Sequence, residues 1–454
     1  MRLHFLLSFI FLFTNLSCDK HSQKTSINIS KNDSIPLIEI STNEDIKDEP
    51  KIKANLKIVL GDSVLFENKI GIEIRGAVSQ MFYEKKSYGF ELRGEDGKEV
   101  DREILGLPAG DEWILHGPYG DKTLLRNAVA YKISNSIGRY APRTKYVELK
   151  INDIFLGSYV LMEKIKVSKN RVDIQKLNEK DTISSQINGG YLIKLDKTSG
   201  GGDDNYANYN PQNSFVSKFD DKGKTSDYSA THFLYESPKA KKINAKQAAF
   251  IKKYIADFES SLASLNFKDS KIGYQKFIDV PNFIDFFILT ELMQNHDGYR
   301  LSTYLQKDVD KKLQMGPIWD FDIAFGSDQG FCDGMNKHAW VYQYNKYCGS
   351  DTWIVPFWWP KLMQDPDFKS SLISRWKSLR SSELSNQSLT ELIDAEANFI
   401  TKNKMVERNF QVWDILNQQI TPNSSTGSHS NEIKRMKSWL IEHAAWMDKQ
   451  FLKN

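Results

Sequence analysis

The residues from 279 to 293 constrain the fold of this chain more than any other stretch. Asp279 and Pro281 suit the N-cap and the first turn of a helix, and the apolar run FIDFFILTELM follows them. We therefore expect a buried helix over residues 283–293. The polar sequence NHDGY then breaks the apolar pattern, so Asp297 is expected on a loop at the C-terminal end of this helix.

A predicted hairpin follows that loop and brings acidic residues together. Its two strands, residues 301–306 and 313–319, flank the charged turn KDVDKK. Residues before the first strand and after the second lie at the same open end, so Asp297 should meet Asp320 and Asp322. Converging carboxylates need a cation or a shared proton, and ligands that are all oxygen favour Mg²⁺. The alternative is that Asp297 and Asp322 only cap turns.

The N-terminus predicts an exported protein that is held at a membrane. A charged start and an apolar run over residues 3–13 end in LSC, which indicates a lipoprotein signal peptide over residues 1–18 with Cys18 lipidated. The mature chain would then be an exported, membrane-anchored lipoprotein at the cell surface or in the periplasm. The alternative is plain secretion with cleavage nearby. Residues 19–34 are polar without hydrophobic periodicity and predict a flexible tether.

The remaining chain, residues 35–454, predicts one large α+β domain. Alternating apolar residues favour a strand-rich part over about 35–195, and helical periodicity favours a helix-rich part over about 240–454. An insertion rich in Gly, Asn and Asp is expected at about 200–230. The net charge of +3 over 454 residues argues against nucleic-acid binding.

Two cysteines remain once Cys18 is assigned to the lipid. Cys332 and Cys348 frame an aromatic insertion, and a disulfide between them suits an oxidising compartment. A zinc site is less favoured, because the spacing lacks paired ligands even though His338 lies between the cysteines. The aromatic residues suit recognition of a peptide or a sugar, or they form a small core of the insertion itself.

Cations near glycines in the strand-rich part suit phosphate oxygens. Arg75 precedes Gly76, and Lys86 begins an alternating strand, so Lys86 is our candidate for a lysine that binds phosphate. For the neighbouring Lys85 we favour a solvated strand edge.

Two further charged residues are candidates for the same site. Arg126 lies near the start of a helix that we expect to begin near Asp121 and to end at Gly138, and a helix N-terminus with an arginine suits a phosphate. Glu163 lies at the open end of a hairpin that turns at Asn152 and Asp153. Glu163 would orient a lysine or bind a second metal ion, with a surface ion pair as the alternative.

Several sequence blocks together are more specific than any of these motifs. They are IRGAVSQMFYEKKSYGFEL, LPAGDEWILHGPYGDKTLLRNAVAYKIS, GSYVLMEKI, GGYLIKLDK, NHDGYRLSTYLQKD and MGPIWDFDIAFG. In this order, over residues 37–376, they resemble the spore coat protein H (CotH) kinase family. The resemblance implies an atypical protein-kinase-like fold with an N-terminal antiparallel sheet lobe and a helical C-terminal lobe. It also implies ATP and Mg²⁺ as cofactors, with transfer of the γ-phosphoryl group to Ser or Thr of an exported protein.

The resemblance also assigns roles to residues. It implies that Asp297 in NHDGY is the catalytic aspartate, and that Asp320 in WDFD binds the metal with Asp322 in support. It places Lys86 and Arg126 in the KxSY-like and LLR blocks, as candidates for binding the nucleotide.

One position departs from the pattern of kinase-like enzymes, many of which carry an Asn shortly after the catalytic Asp. No Asn lies between Asp297 and Asp320. Ser302 or Thr303 could supply a hydroxyl ligand instead, or the two acids after the hairpin could bind the metal alone. The rival interpretation is a kinase-like binding or structural protein at the cell surface that does not turn over nucleotide.

Overall fold

A computed structural model provides the structure of this chain. It describes residues 35–198, 208–219, 230–327, 338–349, 351–420 and 423–452. The predicted signal peptide and tether, with Cys18, lie outside the described residues, and so do Cys332 and most of the predicted insertion.

Alternating apolar residues form strands in the first half of the chain and again around the predicted hairpin. The strands are β1 (Leu37–Ser41), β2 (Ile52–Leu60), β3 (Ser63–Arg75), β4 (Ser87–Arg93), β5 (Arg102–Ile104), β6 (Leu107–Gly110), β7 (Glu112–His116), β8 (Thr144–Ile151), β9 (Ile154–Glu163), β10 (Tyr191–Leu195), β11 (Ser214–Val216), β12 (His232–Ser237), β13 (Thr303–Lys307) and β14 (Gln314–Met315).

Seven of these strands close into a barrel in the order β1-β2-β3-β4-β7-β9-β8. Neighbours are antiparallel except β1 and β8, which pair in parallel and close the barrel. Inward residues of each strand fill the barrel core, among them Ile58, Ile72, Phe90, Trp113 and Leu161. Such burial of apolar surface is the main force that holds the barrel together. The predicted hairpin that turns at Asn152 and Asp153 is present as β8 and β9.

A second sheet has the order β11-β12-β10-β13-β14. Its β13–β14 pair is the hairpin predicted after Asp297, with Leu305 opposite Met315 and Gln306 opposite Gln314. The short ladder is supported on its other side, where β13 pairs antiparallel with β10 over five residue pairs.

Helices pack around the second sheet and form most of the C-terminal half. They are α1 (Val78–Phe82), α2 (Arg126–Ser136), α3 (Ser184–Ile187), α4 (Ala245–Ala263), α5 (Val280–Met293), α6 (Tyr344–Tyr347), α7 (Trp358–Leu362), α8 (Pro366–Arg380), α9 (Asn386–Lys402), α10 (Met405–Val412) and α11 (His429–Leu452). With antiparallel sheets and these helices, the structure confirms the α+β class. None of the described helices is both long enough and apolar enough to cross a membrane.

The helix predicted after Asp279 is confirmed as α5. The Asp279 carboxylate accepts a hydrogen bond from the Asn282 amide at 3.1 Å, as an N-cap does, and Pro281 lies in the first turn. Every residue from Asn282 to Met293 is buried, so α5 is the central helix of the larger core. It ends at Gln294, which adopts a left-handed conformation with φ 46°.

The prediction for α2 was wrong at its start. The helix begins at Arg126, not near Asp121, because Leu124 has a positive φ of 60° and interrupts the helical backbone. The Asp121 carboxylate instead accepts hydrogen bonds from the backbone amides of Thr123 and Arg126. Asp121 therefore organises the turn that precedes the helix.

Candidate active site

A cavity of about 480 Å³ opens between one end of the barrel and the second sheet. The barrel contributes residues of β3, β4, β7 and β9. Further lining residues come from α2, the end of β10, the loops on either side of the β13–β14 hairpin and the segment with Asp351 and Trp353. Strand ends and loops on a rigid scaffold are where binding and catalytic residues commonly lie.

The three acids predicted to converge all line this cavity. Asp297 comes from the loop after α5, and Asp320 and Asp322 come from the loop after β14. Asn295 holds the two loops together, because its side-chain amide donates to the Asp320 carbonyl oxygen at 3.1 Å and its Oδ1 accepts from the Asp297 amide at 3.2 Å. The geometry expected from the hairpin is therefore present.

The backbone around these acids is strained. Tyr299, Ser302 and Asp320 are not glycines but have positive φ angles of 76°, 48° and 63°. Each such residue costs on the order of 1–3 kcal/mol, and such residues cluster at functional sites. The strain supports a functional interpretation of these loops over simple turn caps.

The two acids after the hairpin favour protonation or a cation. Burial, followed by the negative charges of Asp297 and Asp196, raises the pKa of Asp320 to about 6, and the cation of Arg75 opposes this shift. Burial and the nearby carboxylate of Asp320 also raise the pKa of Asp322 well above its ordinary value. Ionised carboxylates this close repel each other, and a bound cation or a shared proton removes the repulsion.

This donor set fits Mg²⁺ that is bound together with substrate phosphates. In the parts of the chain that the structure describes, no group of three or more His, Cys, Asp or Glu side chains could hold a metal ion alone. Mg²⁺ commonly uses one or two carboxylates and takes its other ligands from phosphates and water. Asp320 and Asp322 are the residues that would hold it.

Arg75 also lines the cavity, as its position before Gly76 suggested. Its guanidinium lies over the ring of Trp319, 5.5 Å from the centroid, and Trp319 stacks in turn on the buried Tyr131. This packing keeps a cation near Asp320, where phosphate oxygens would also be attracted.

Comparison with known proteins decides the family. The sequence model described as CotH kinase protein matches residues 72–447, which include the cavity residues named so far. The chain belongs to the CotH kinase family. A search of the curated proteins gives no match. Family membership implies a kinase, and so a transferase of phosphoryl groups.

Two candidate residues for binding nucleotide do not line the cavity of this CotH kinase. The Lys86 ammonium donates to the carbonyl oxygens of Gln80 and Tyr83, at 2.7 and 2.6 Å, and so closes the end of α1. The Arg126 guanidinium forms an ion pair with Asp121 and donates to the Ala324 carbonyl oxygen at 3.1 Å. Arg126 therefore stabilises the loop after Asp322 through this hydrogen bond and does not contact the cavity.

Glu163 also lies outside the cavity lining. It does form the suggested ion pair, with Arg143 at 2.8 Å, but the pair is not on the surface, because Glu163 is 0% exposed. The carboxylate is fully buried and accepts hydrogen bonds from Tyr140 and from the backbone and guanidinium of Arg143. These donors, Tyr140 and Arg143, do not line the cavity either. The next residue, Lys164, does line the cavity and forms an ion pair with Glu112 at 2.6 Å.

Several cavity residues were not predicted from the sequence. Asn127 Oδ1 accepts from the Phe321 amide at 2.6 Å, and its Nδ2 lies 3.2 Å from His116 Nε2. Burial lowers the pKa of His116 to about 4, so His116 is neutral at pH 7. Asp196 is the second-last residue of the block GGYLIKLDK and forms an ion pair with Lys194 at 2.5 Å. That block, already recognised in the family resemblance, was the available signal for Asp196.

The two residues considered in place of the missing Asn have different positions. Ser302 lines the cavity, whereas the buried Thr303 hydroxyl donates to the Leu301 carbonyl oxygen at 2.9 Å. Of these two residues, Ser302 is therefore the one that could supply a hydroxyl ligand to a metal ion in the cavity.

The aromatic insertion is described only from residue 338. Trp340 packs against Trp446 and Phe451, at 4.7 and 5.4 Å between ring centroids, so this part joins the main core. Trp353 lines the cavity. Cys348 is disulfide-bonded, and Cys332 lies outside the described residues.

Proposed function

We propose that this CotH kinase transfers the γ-phosphoryl group of ATP to Ser or Thr of an exported protein in a Mg²⁺-dependent reaction. The observation that carries the proposal is the convergence of Asp297, Asp320 and Asp322 on one cavity beside the cation of Arg75. Phosphoryl transfer needs such an arrangement, because positioning and charge stabilisation supply most of the catalysis.

Each residue has a distinct role in this proposal. Asp297 accepts the proton of the attacking hydroxyl, and Asp320 and Asp322 hold Mg²⁺. Mg²⁺ held there would neutralise negative charge on the phosphates of ATP. Arg75 adds a second positive charge for the same oxygens. The barrel and the helix-rich half would correspond to the N-terminal and C-terminal lobes of an atypical kinase fold.

A second candidate function is a binding protein at the cell surface that keeps the fold but does not turn over nucleotide. The residue that favours it is Ser302, which lines the cavity where a kinase-like enzyme would offer an Asn. Turnover separates the two functions. A ligand-dependent rise in melting temperature without consumption of ATP would support binding alone.

We also propose that the mature chain is exported and anchored through a lipid on Cys18, which rests on the charged start, the apolar run and the LSC sequence. Mass spectrometry of membrane-extracted protein should show an acylated N-terminus at Cys18. A mature chain that begins at another residue would contradict the anchor.

Calorimetric titration with ATP tests the division of roles among the acids. Asp297→Asn should keep nucleotide affinity within about threefold, because in this proposal its carboxylate contacts the hydroxyl and not the phosphates. Asp320→Asn should weaken affinity by roughly tenfold or more and reduce its dependence on Mg²⁺, since the phosphates lose their bound counter-ion.

The matched control is Asp257→Asn, which removes a half-exposed acid on α4 that pairs with Lys253. Its affinity for ATP should equal that of the unmodified chain with and without Mg²⁺. Equal affinities for all three variants would contradict the metal site at Asp320.

A further inference from the structure

Arg300 is buried directly beside Asp297. Its side chain is 0% exposed, and its Nη2 donates to Asp297 Oδ1 at 2.9 Å. Its Nε donates to the carbonyl oxygen of His296 at 3.0 Å. The guanidinium is therefore fixed against the same loop that carries the acid.

The opposite side of the guanidinium is held by the segment that follows Cys348. Nη1 lies 3.3 Å from Asp351 Oδ1 and donates to the Trp353 carbonyl oxygen at 3.3 Å. The ring of Tyr344 lies 4.2 Å from the guanidinium, and the Tyr344 hydroxyl donates to Asp351 Oδ2 at 2.6 Å. Arg300 thus joins two loops that both line the cavity.

We propose that Arg300 is a positioning residue, which holds the Asp297 carboxylate in the orientation needed to accept the hydroxyl proton. The inference rests on the proposed function of Asp297. The planar, forked guanidinium fixes direction as well as distance, which an ammonium does not. Asp297 remains 22% exposed, so the held carboxylate is still open to the cavity.

Catalytic geometry explains this arrangement better than stability does. A buried ion pair contributes little net stability compared with apolar residues of similar volume. A displacement of a reacting group by about 1 Å, however, can cost roughly 100-fold in rate. The segment with Asp351 and Trp353 would then contribute to catalysis through Arg300, without contacting the phosphates.

Steady-state kinetics of phosphate transfer to Ser- and Thr-containing peptides test the inference. Arg300→Met should lower kcat by roughly 100-fold and leave the KM for ATP within about twofold, because only the alignment of the acid changes. Arg300→Lys keeps the charge and should fall between Met and Arg. The matched control is Arg380→Met, which removes a mostly buried arginine of α8 that lies outside the cavity lining and pairs with Asp448. Its kcat per folded molecule should equal that of the unmodified chain.

A double variant distinguishes a positioning role of Arg300 from a merely structural one. In an Asp297→Asn background, Arg300→Met should cause no further loss of the residual rate, because the group that it positions is already gone. If Arg300→Met folds poorly, Asp351→Asn gives a milder test, with a fall in kcat of about tenfold and unchanged KM for ATP.

The outcomes separate this inference from the proposed function. Suppose that the unmodified chain transfers phosphate and that the transfer depends on Asp297. The positioning role alone is then overturned if Arg300→Met leaves kcat unchanged, or if it lowers the rate equally with and without the Asp297 carboxylate. Absence of transfer by the unmodified chain overturns the proposed function and this inference together.

Discussion

Arg75 shows how one residue reaches the site from a strand end. β3 stops at Arg75, and Gly76 follows with a positive φ of 111°, which only glycine adopts without strain. The chain turns there into α1, so the side chain of Arg75 is left at the rim of the barrel above Trp319. The position of the glycine therefore fixes where the cation lies.

Removing the cation of Arg75 should weaken nucleotide binding. Arg75→Met keeps apolar packing on Trp319 but loses a charge-assisted contact worth about 1.5–3 kcal/mol, so the Kd for ATP with Mg²⁺ should rise roughly 10- to 100-fold. Calorimetry measures this change, with Arg102→Met on β5 as a surface control. An unchanged Kd would mean that Arg75 does not contact the phosphates.

Lys85 and Lys86 show a limit of prediction at this scale. Alternation suggested that Lys86 enters the sheet face, and the tendency of lysines to protect sheet edges suggested a solvated edge for Lys85. Strand β4 begins only at Ser87, so neither lysine follows the alternation of the strand. Lys85 is instead 1% exposed and donates to the Ser158 carbonyl oxygen and Asn409 Oδ1. These acceptors are distant in sequence, and no local pattern indicates them.

At the scale of elements, local sequence patterns predicted the helices and hairpins that local interactions determine. Helix α5 and the β8–β9 and β13–β14 hairpins follow from caps, turns and periodicity within short windows. The pairing of β10 with β13 and the parallel closure of β1 on β8 join residues that are more than one hundred positions apart. Such pairings depend on tertiary packing, which local periodicity does not encode.

We expect Glu291, near the end of α5, to make the stability of the fold depend on pH. Its buried carboxylate accepts from the Tyr299 hydroxyl and from the amides of Val341 and Tyr342, yet burial dominates and raises its pKa from 4.5 to about 8. The folded state therefore binds this proton more tightly than the unfolded state. The stabilisation is full below about pH 4.5 and is lost as the pH rises through about 8.

The comparison with Glu291→Gln isolates this effect. Between about pH 5 and pH 8, the free energy of unfolding of the unmodified chain should fall relative to that of the variant by a few kcal/mol, on the order set by the pKa shift. Urea denaturation at several pH values measures the difference. A difference that is constant over this range would show that Glu291 stays ionised in the folded protein.

At the scale of the whole molecule, α10 connects the barrel to the helix-rich half. Arg408 Nε donates to the buried Glu148 of β8 at 2.6 Å, and Asn409 Oδ1 accepts from Lys85 and from the Ser158 amide of β9. The cavity lies where these two halves meet, so its shape depends on their being held in register.

Removing the Arg408 cation should weaken the connection made by α10. Arg408→Met removes the guanidinium partner of Glu148 and should lower the free energy of unfolding by about 3–5 kcal/mol, the cost of breaking a buried ion pair. Chemical denaturation measures the loss. The double variant Arg408→Met with Glu148→Gln should recover part of it, since no buried carboxylate is then left without that cation. A loss under about 1 kcal/mol would show that the pair contributes no more than a surface salt bridge.

If Asp297 accepts the hydroxyl proton and Asp320 holds Mg²⁺, the transfer of phosphate from ATP depends on both acids. The measurement is the rate at which labelled γ-phosphate is incorporated into Ser- and Thr-containing peptides. The unmodified chain and Asp257→Asn should incorporate phosphate at equal rates with Mg²⁺. Asp297→Asn and Asp320→Asn should each be slower by roughly a thousandfold, because one loses the proton acceptor and the other the metal ligand. Incorporation by both variants at the rate of the unmodified chain would show that neither acid takes part in the transfer.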